Sequence, residues 1–304
     1  MTQPTCTKCK KQPSIYHRPY SGERLCGACL ASSIKDRVQR TISRHDMLQH
    51  DSRIALGVSG GKDSLALLNI LAEIEEKHPG AELIAVSIDE GVRGYRDESL
   101  TIASRACKEQ GIEHHITSFA DLYSLTMDEI ATGQRELAAC SYCGVLRRRA
   151  LNQAARSLDA DRLATAHNLD DMAQTAILNL LRGDLNRLAL MHPGGRDLPG
   201  FVRRIKPYCE VPECESAMYA HLHGLEFQSL PCPYASEAMR TDARDFLNRM
   251  ESKRPGTKNI VYRTALKLAP EARRTGVMGS CETCGEPSPE PKCRACQLLE
   301  SLAS

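Results

Sequence analysis

Tryptophan is absent from this 304-residue chain and phenylalanine occurs only four times, which leaves little material for an aromatic platform on which nucleic-acid bases could stack. No apolar run approaches the ~18 residues that a membrane span needs, and no stretch reads as a secretory leader. A cytoplasmic protein with no membrane partner is therefore expected. Net charge is nearly absent as well, at +2, so any polyanion must be met by a local basic segment rather than by the whole chain. One such segment runs from Arg240 to Arg274, with ten Lys or Arg against four Asp or Glu. It reads either as a solvated helical face or as a grip on a long polyanion. The length allows a substantial core, in one large domain with appendages or in two domains.

Cysteine, by contrast, is abundant, with fourteen copies. Disulfides are not expected in a cytosolic chain, where thiols are kept reduced. The spacing points to metal instead. Cys6-x-x-Cys9 and Cys26-x-x-Cys29 form one double pair, and Cys281-x-x-Cys284 and Cys293-x-x-Cys296 form another at the opposite end. Each pair places two thiolates on a tight turn, and two such turns can close a tetrahedral shell around zinc. Both segments are rich in Lys, Pro and Gly and poor in apolar residues, and would hardly fold without a metal. Four thiolates leave no open coordination position, so two structural Zn2+ sites are expected, with His17 not needed as a ligand.

The most informative stretch is Gly57-Val58-Ser59-Gly60-Gly61-Lys62-Asp63-Ser64. An apolar strand-like run, Arg53 to Val58, precedes it, and a helical pattern from Ser64 follows. The glycines thus sit at a strand-to-helix turn, where backbone N–H groups and the positive end of the helix dipole meet a bound anion. Gly60 and Gly61 allow close approach to phosphate and Lys62 adds charge. A Walker A loop fails twice here, with Leu56 in place of its first Gly and Asp63 after the Lys. What fits is S-G-G-K-D-S, and in this region the chain resembles the PP-loop ATP pyrophosphatases. That resemblance implies cleavage of ATP between the α and β phosphates through an adenylate.

Along the chain, residues 1–32 read as a zinc ribbon and Ile34 to Gln49 as a helix with Val38, Ile42 and His45 on one face. Strands are expected at Arg53–Val58, Glu82–Ile88, Glu113–Thr117 and Arg162–Ala166, alternating with helices at Ser64–His78, Asp97–Gln110, Cys143–Leu158 and Leu169–Leu181. The alternation predicts an α/β fold, a parallel sheet covered by helices on both faces. Ligands then bind beyond the carboxyl ends of the strands, where the glycine loop, Ile88 and Ala166 fall. Backbone groups around Ile88 are placed to read the adenine edge, while Asp89 and Glu90 either touch ribose or cap a turn. Prolines interrupt the pattern after Leu198, and residues 200–234 are expected to complete the sheet. The assignment is a catalytic domain over 33–235, a basic helical segment over 236–275, its helix from Glu237 to Lys253, and a second zinc ribbon over 276–304.

Outside the zinc pairs stand Cys107, Cys140, Cys143, Cys209, Cys214 and Cys232. Cys107, Cys209 and Cys214 are read as small buried hydrophobes. Cys140 and Cys143 open a predicted helix, a position that favours thiolate, and Cys232 lies between Pro231 and Pro233. Three thiolates are awkward for closed zinc but suit an iron–sulfur cluster with one iron left open. Asp170 and Asp171, at the start of another predicted helix, either stabilise its N-terminus or act in the site.

Cys140-x-x-Cys143-Gly144-Val145-x-Arg147-Arg148, Ala166-His167-Asn168-Leu169-Asp170-Asp171 with Ala173-Gln174, and Cys232-Pro233-Tyr234, between two terminal four-cysteine modules, together resemble the tRNA 2-thiouridine synthetases. This family includes the TtuA-type enzymes of the T loop and the archaeal and eukaryotic cytosolic enzymes of the wobble uridine, and the resemblance covers essentially the whole chain. It implies a PP-loop domain of the adenine nucleotide alpha hydrolase-like class flanked by zinc ribbons, with Cys140, Cys143 and Cys232 as ligands of a cluster, 4Fe-4S, that carries the sulfur. It makes Asp171 a catalytic candidate, positioning Mg2+ or the base. Where the TtuA branch has Lys, this chain has Arg147, as the wobble branch does. Arg147 is a permanent charge suited to the ATP phosphates.

The implied reaction is attack of uridine O2 on the α phosphorus of ATP, with Mg2+, Lys62, Arg147 and the loop backbone holding the pyrophosphate. Sulfur then displaces AMP at C2. A persulfide on one cysteine with another resolving it is a second route open to the same three residues. The tRNA is expected to be held by its backbone, through Arg147 to Arg149, Arg203, Arg204, Lys206 and the Arg240–Arg274 segment. The resemblance further implies a homodimer and a sulfur donor that is a ubiquitin-like thiocarboxylate carrier or free sulfide. Two alternatives remain: a T-loop uridine or cytidine thiolase of the same superfamily, and a zinc-ribbon nucleic-acid-binding protein with a regulatory ATP site.

Overall fold

The structure, a computed structural model, describes residues 4–78, 80–235, 240–268 and 279–302. Residues 236–239 and 269–278, with the expected helix start at Glu237, the basic pair Arg273 and Arg274 and the start of the second ribbon at 276, lie outside the described residues. At the amino end β1 (Tyr16–Arg18) and β2 (Glu23–Leu25) pair antiparallel. Helix α1 (Gly27–Arg44) follows, with Leu30, Ile34, Val38 and Thr41 buried in one stripe. It starts seven residues before the expected Ile34, because the turn carrying Cys29 is itself helical. It stops before Gln49 because Asp46 takes a left-handed backbone, φ 44°.

Five parallel strands form the central sheet, in the order β5-β4-β3-β6-β7. They are β3 (Arg53–Gly57), β4 (Glu82–Asp89), β5 (Glu113–Ser118), β6 (Arg162–Thr165) and β7 (Arg203–Ile205). All four expected strands are present, and β7 completes the sheet from the irregular region. Successive residues of a strand face opposite sides, and the two cores show it: Ile54, Leu56, Leu83 and Ala85 join one cluster, and Ala55, Val86 and Ile88 the other. The first side is covered by α1, α2 (Lys62–Glu75), α3 (Arg96–Glu109) and α9 (Glu213–Leu222). The second carries α4 (Phe119–Tyr123), α5 (Met127–Thr132) and α6 (Ala139–Ser157). Helix α6 begins four residues ahead of the expected Cys143, so Cys140 stands inside its first turn.

Helices α7 (Leu169–Leu181) and α8 (Leu185–Ala189) share a third cluster with α11 (Thr257–Leu268), through Leu169, Met172, Leu188 and Tyr262. The basic segment is a helical hairpin, α10 (Arg240–Lys253) and α11, lying across α7. At the carboxyl end β8 (Gly279–Ser280), β9 (Pro287–Ser288) and α12 (Arg294–Glu300) form a small module. Ala295 and Leu298 of α12 join the α6 core, and Glu286 accepts from Gln153 and Arg156 of α6. The amino-terminal module docks on α9 through charge: the fully buried Glu215 accepts from Arg18 at 2.8 and 2.9 Å and from Tyr20 at 2.8 Å. Each cysteine module thus leans on an element that reaches the carboxyl edge of the sheet.

Candidate functional site

Between β3 and α2 the loop Val58–Gly61 turns at the sheet edge. Gly60 has φ +80°, and a Cβ there would lie 2.2 Å from the Ser99 carbonyl oxygen, so only glycine fits. Gly61 caps α2 without a side-chain hydrogen bond, which leaves the positive end of the helix for an anion. The two serines lock the loop rather than face outward: Ser59 N donates to Ser64 Oγ at 3.1 Å, and Ser64 Oγ donates to the Gly61 carbonyl at 2.9 Å. Lys62 Nζ lies 3.1 Å from Asp63 and 2.9 Å from Glu213. Burial pulls its basicity down, but the charges of Asp63 and Glu213 outweigh that and raise it. The second Asp63 oxygen, Oδ1, is buried with no partner. A carboxylate oxygen so placed beside a phosphate loop fits a hard cation such as Mg2+.

The strand β4 edge is organised by Arg96, a buried residue that sequence reading missed. Its Nε donates to the Ile88 carbonyl at 2.7 Å and pairs with Glu90 at 2.8 Å, while Nη1 donates to the Ser59 carbonyl at 2.8 Å. One guanidinium thereby ties the phosphate loop to the tip of β4. The two acids are held differently. Asp89 caps the turn by accepting from Gly91 N at 2.9 Å, and Glu90 is a buried ion-pair partner that also holds Arg147 at 3.3 Å. Arg147 itself is half-exposed. Nothing in its sequence marks Arg96 out, since an Arg in the first turn of a helix usually points to water.

After β6, Ala166 and His167 lead into α7. Asn168 and Asp171 form a reciprocal capping box, Asp171 N to Asn168 Oδ1 at 3.0 Å and Asn168 N to Asp171 Oδ2 at 3.2 Å. Asp171 also meets Arg240 of α10 at 3.3 Å, and Asp170 pairs with Lys258 of α11. Part of the basic segment is therefore spent on α7 rather than on solvent. Asp63, Asp171, Glu213 and Arg240 line a cavity of about 220 Å³. Burial, offset by Arg240 and reinforced by Asp63, lifts the Asp171 carboxyl from 3.8 to about 6. An acid with a raised folded-state value favours the native state below that value and disfavours it above. Relative to Asp171→Asn, the wild-type chain should lose stability as pH rises from about 4 to about 6; denaturant midpoints across that window check it, and parallel curves would contradict it.

Cys140, Cys143 and Cys232 are near enough to interact electrostatically, but their sulfurs do not all lie within 4.8 Å of one another. Cys140 and Cys143 lie on the first turns of α6, Cys140 Sγ is 3.2 Å from the Tyr234 carbonyl, and Cys143 feels the charges of Cys140 and Cys232. The helix start does not lower the Cys143 thiol as expected. Burial, with Arg147 opposing and Glu90 adding, pushes it up to about 11. A bound metal would relieve that, since it deprotonates its thiol ligands. Among the described residues no fourth cysteine stands with these three, so the donor set fits a cubane cluster with one iron free of protein thiolate. The two terminal sets are tighter. Among the described residues, Cys6, Cys9, Cys26, Cys29 and Cys281, Cys284, Cys293, Cys296 are the two groups whose ligand atoms all lie within 4.8 Å of one another, and each fits one four-coordinate metal. Backbone N–H groups, chiefly from Cys9 and from Cys293, hold Cys6 and Cys281 down to about 6.

Cys107 and Cys209 are buried as expected. Cys214 is not: it is exposed at the start of α9, its sulfur 3.4 Å from the Tyr16 hydroxyl, because that turn faces the amino-terminal module rather than the core.

A PP-loop domain family matches residues 30–249. The chain is 37% identical to the tRNA 2-thiolation protein NcsA of Haloferax volcanii, over 98% of both chains. It is 38% identical to the cytoplasmic tRNA 2-thiolation protein 1 of Bos taurus, over 99% of this chain and 89% of that protein. Among solved structures, the U34-tRNA thiolase NcsA of Methanococcus maripaludis, with its [4Fe-4S] cluster, superposes with a TM-score of 0.87 at 36% identity, covering 99% of this chain and 97% of that one.

Proposed function

The chain belongs to the PP-loop family of tRNA 2-thiolation proteins, and from that membership we propose that it is an ATP-dependent tRNA sulfurtransferase that makes 2-thiouridine at position 34. The observation that carries this reading is the placing of a phosphate loop and a three-thiol set at one edge of one sheet, joined through Ser59, Arg96, Glu90 and Arg147. A nucleotide and a sulfur centre near the same sheet edge suit activation of an oxygen followed by its replacement. The relatives' names supply the substrate: U34 of tRNA.

Uridine O2 is a poor leaving group, and transfer of AMP onto it turns it into a good one. The amino end of α2 and Lys62 offset the charge that develops on the departing pyrophosphate. Asp63 Oδ1 would hold Mg2+, which spreads that charge further. Arg147, half-exposed and held by a single contact to Glu90, would turn to the phosphates when ATP is bound. Asp171, at the end of the same cavity, orients the base or the metal-bound nucleotide. Cys140, Cys143 and Cys232 would hold the iron–sulfur cluster, which when bound supplies a Lewis-acidic carrier for the incoming sulfur.

The terminal sites, with four thiols each, are taken as structural zinc. Sulfur delivery by a ubiquitin-like thiocarboxylate carrier or by free sulfide, a homodimer and a cytoplasmic location extend the same reading. No helix of the described residues is long and apolar enough to cross a membrane. The reading is tested by following α-labelled ATP with unmodified tRNA under anaerobic conditions. AMP and pyrophosphate are expected, in amounts that depend on tRNA. ADP as the product, or a rate indifferent to tRNA, would overturn it.

A further inference from the structure

Between α6 and the carboxyl end of β7 the chain carries cations that form no ion pair with a carboxylate among the described residues. Arg148 folds back along α6 over Gly144: a Cβ on that glycine would lie 3.4 Å from Arg148 Nη1. This brings the guanidinium toward the turn that carries Cys143, the direction in which helical side chains lean. Arg204, on β7, donates from Nη2 to the Arg148 backbone carbonyl at 3.2 Å, and its Nε is buried without a partner. Lys206 follows just past the end of β7, its Nζ 3.4 Å from the His192 carbonyl. The neighbours Arg147, Arg187 and Arg203 each have a carboxylate. Among the described residues, no ion pair is formed by Arg148, Arg204 or Lys206.

That arrangement is unfavourable for the chain alone, since neighbouring cations without counter-charges repel, and the Arg204 Nε is shut off from water with nothing to donate to. Lost hydration where the guanidinium lies against α6, and then the charges of Arg204 and Arg147, push Arg148 down although its side chain is exposed overall. Burial, and then Arg204, push Lys206 down to about 8. An anion entering the gap would relieve all three at once.

We propose that Arg148, Arg204 and Lys206 form a ready-made phosphodiester subsite that seats the RNA backbone beside the cysteine-bearing end of α6. The proposal rests on the reading of the chain as a tRNA sulfurtransferase and adds where the nucleotide is gripped. Several neighbouring cations match an RNA backbone, whose phosphate oxygens take forked arginines well. An RNA strand brings successive phosphates, one negative charge each, to such a cluster, whereas the carboxyl terminus of a protein sulfur carrier brings a single charge and would leave the other cations uncompensated. With few aromatic residues to stack bases, a backbone contact next to the thiols is the means left to fix register.

The experiment measures binding of unmodified tRNA to the metal-replete protein between 50 and 300 mM salt, for the wild type, Arg148→Gln, Arg204→Gln and Arg148→Lys. Each Gln variant should flatten the slope of log affinity against log salt by about one, while Arg148→Lys keeps it. ATP affinity and metal content should stay at wild-type values, and Arg148, being exposed, provides a variant that folds even if Arg204→Gln does not. Unchanged slopes in correctly metallated Gln variants would overturn the subsite. So would variants that bind tRNA normally and use free sulfide but fail with a thiocarboxylate-bearing carrier, which would assign the cations to that protein. If the wild type itself shows no salt-dependent tRNA binding, the functional reading falls and the subsite with it.

Discussion

Gly60→Ala is expected to lower ATP-dependent turnover by about a hundredfold or more, the scale on which a displacement of roughly 1 Å in a positioning element acts. The added Cβ would meet the Ser99 carbonyl oxygen at 2.2 Å, a backbone atom at the start of α3 that cannot rotate away. The loop must therefore move off α3, and with it goes the Ser59 carbonyl that Arg96 holds. Gly94→Ala separates strain from clash. Gly94 has φ +75° but nothing within 4 Å of its Cβ position, so it should show only the cost of a left-handed alanine, roughly 1–2 kcal/mol of stability. Steady-state kinetics of AMP release for the two variants give the comparison. Equal, mild losses in both would show that the close approach to α3 is not what places the loop.

Glu215→Ala should destabilise the folded chain by roughly 3–5 kcal/mol, the range for breaking a buried pair and stranding the remaining charge. Glu215 is fully buried and Arg18 nearly so. The carboxylate accepts both Arg18 nitrogens and the Tyr20 hydroxyl, and Arg37 approaches it at 3.4 Å. Its removal leaves Arg18 with Glu23, Ser33 and the face of the Tyr20 ring, and costs it both contacts from Nε and Nη2 to a buried carboxylate. Because Glu215 stands two residues from Glu213, the partner of Lys62, the loss should also loosen the ATP site. Denaturant unfolding measures the first effect and hydrogen exchange over residues 4–25 and 213–222 locates it. A change below about 1 kcal/mol would mean that the cysteine module docks without this contact.

Much of this architecture is legible in local sequence. The strands of the sheet are short apolar runs whose period and flanking turns depend on near neighbours, and all four expected ones are found. The glycine loop and the two four-cysteine groups are equally local, since spacing alone fixes which atoms can meet. What could not be read depends on distant residues. Glu215 meets Arg18 across 197 positions and Arg147 meets Glu90 across 57, and no periodicity announces either pair. The role of Arg96 is of the same kind. The thiol at Cys143 shows a second limit: a helix start lowers a thiol only while it is solvated, and here burial decides the direction. Cys214 shows a third, because residue type predicts burial only until a second module faces it.

The account stands or falls most directly on nucleoside mass spectrometry with position mapping, applied to unmodified tRNA incubated anaerobically with iron-reconstituted protein, ATP, Mg2+ and sulfide. The expected result is ATP-dependent 2-thiouridine at position 34, lost in Cys143→Ser while the zinc content is retained. Thiolation at another position would move the substrate assignment and leave the chemistry in place. No thiolated nucleoside from protein carrying both metals would contradict the central claim.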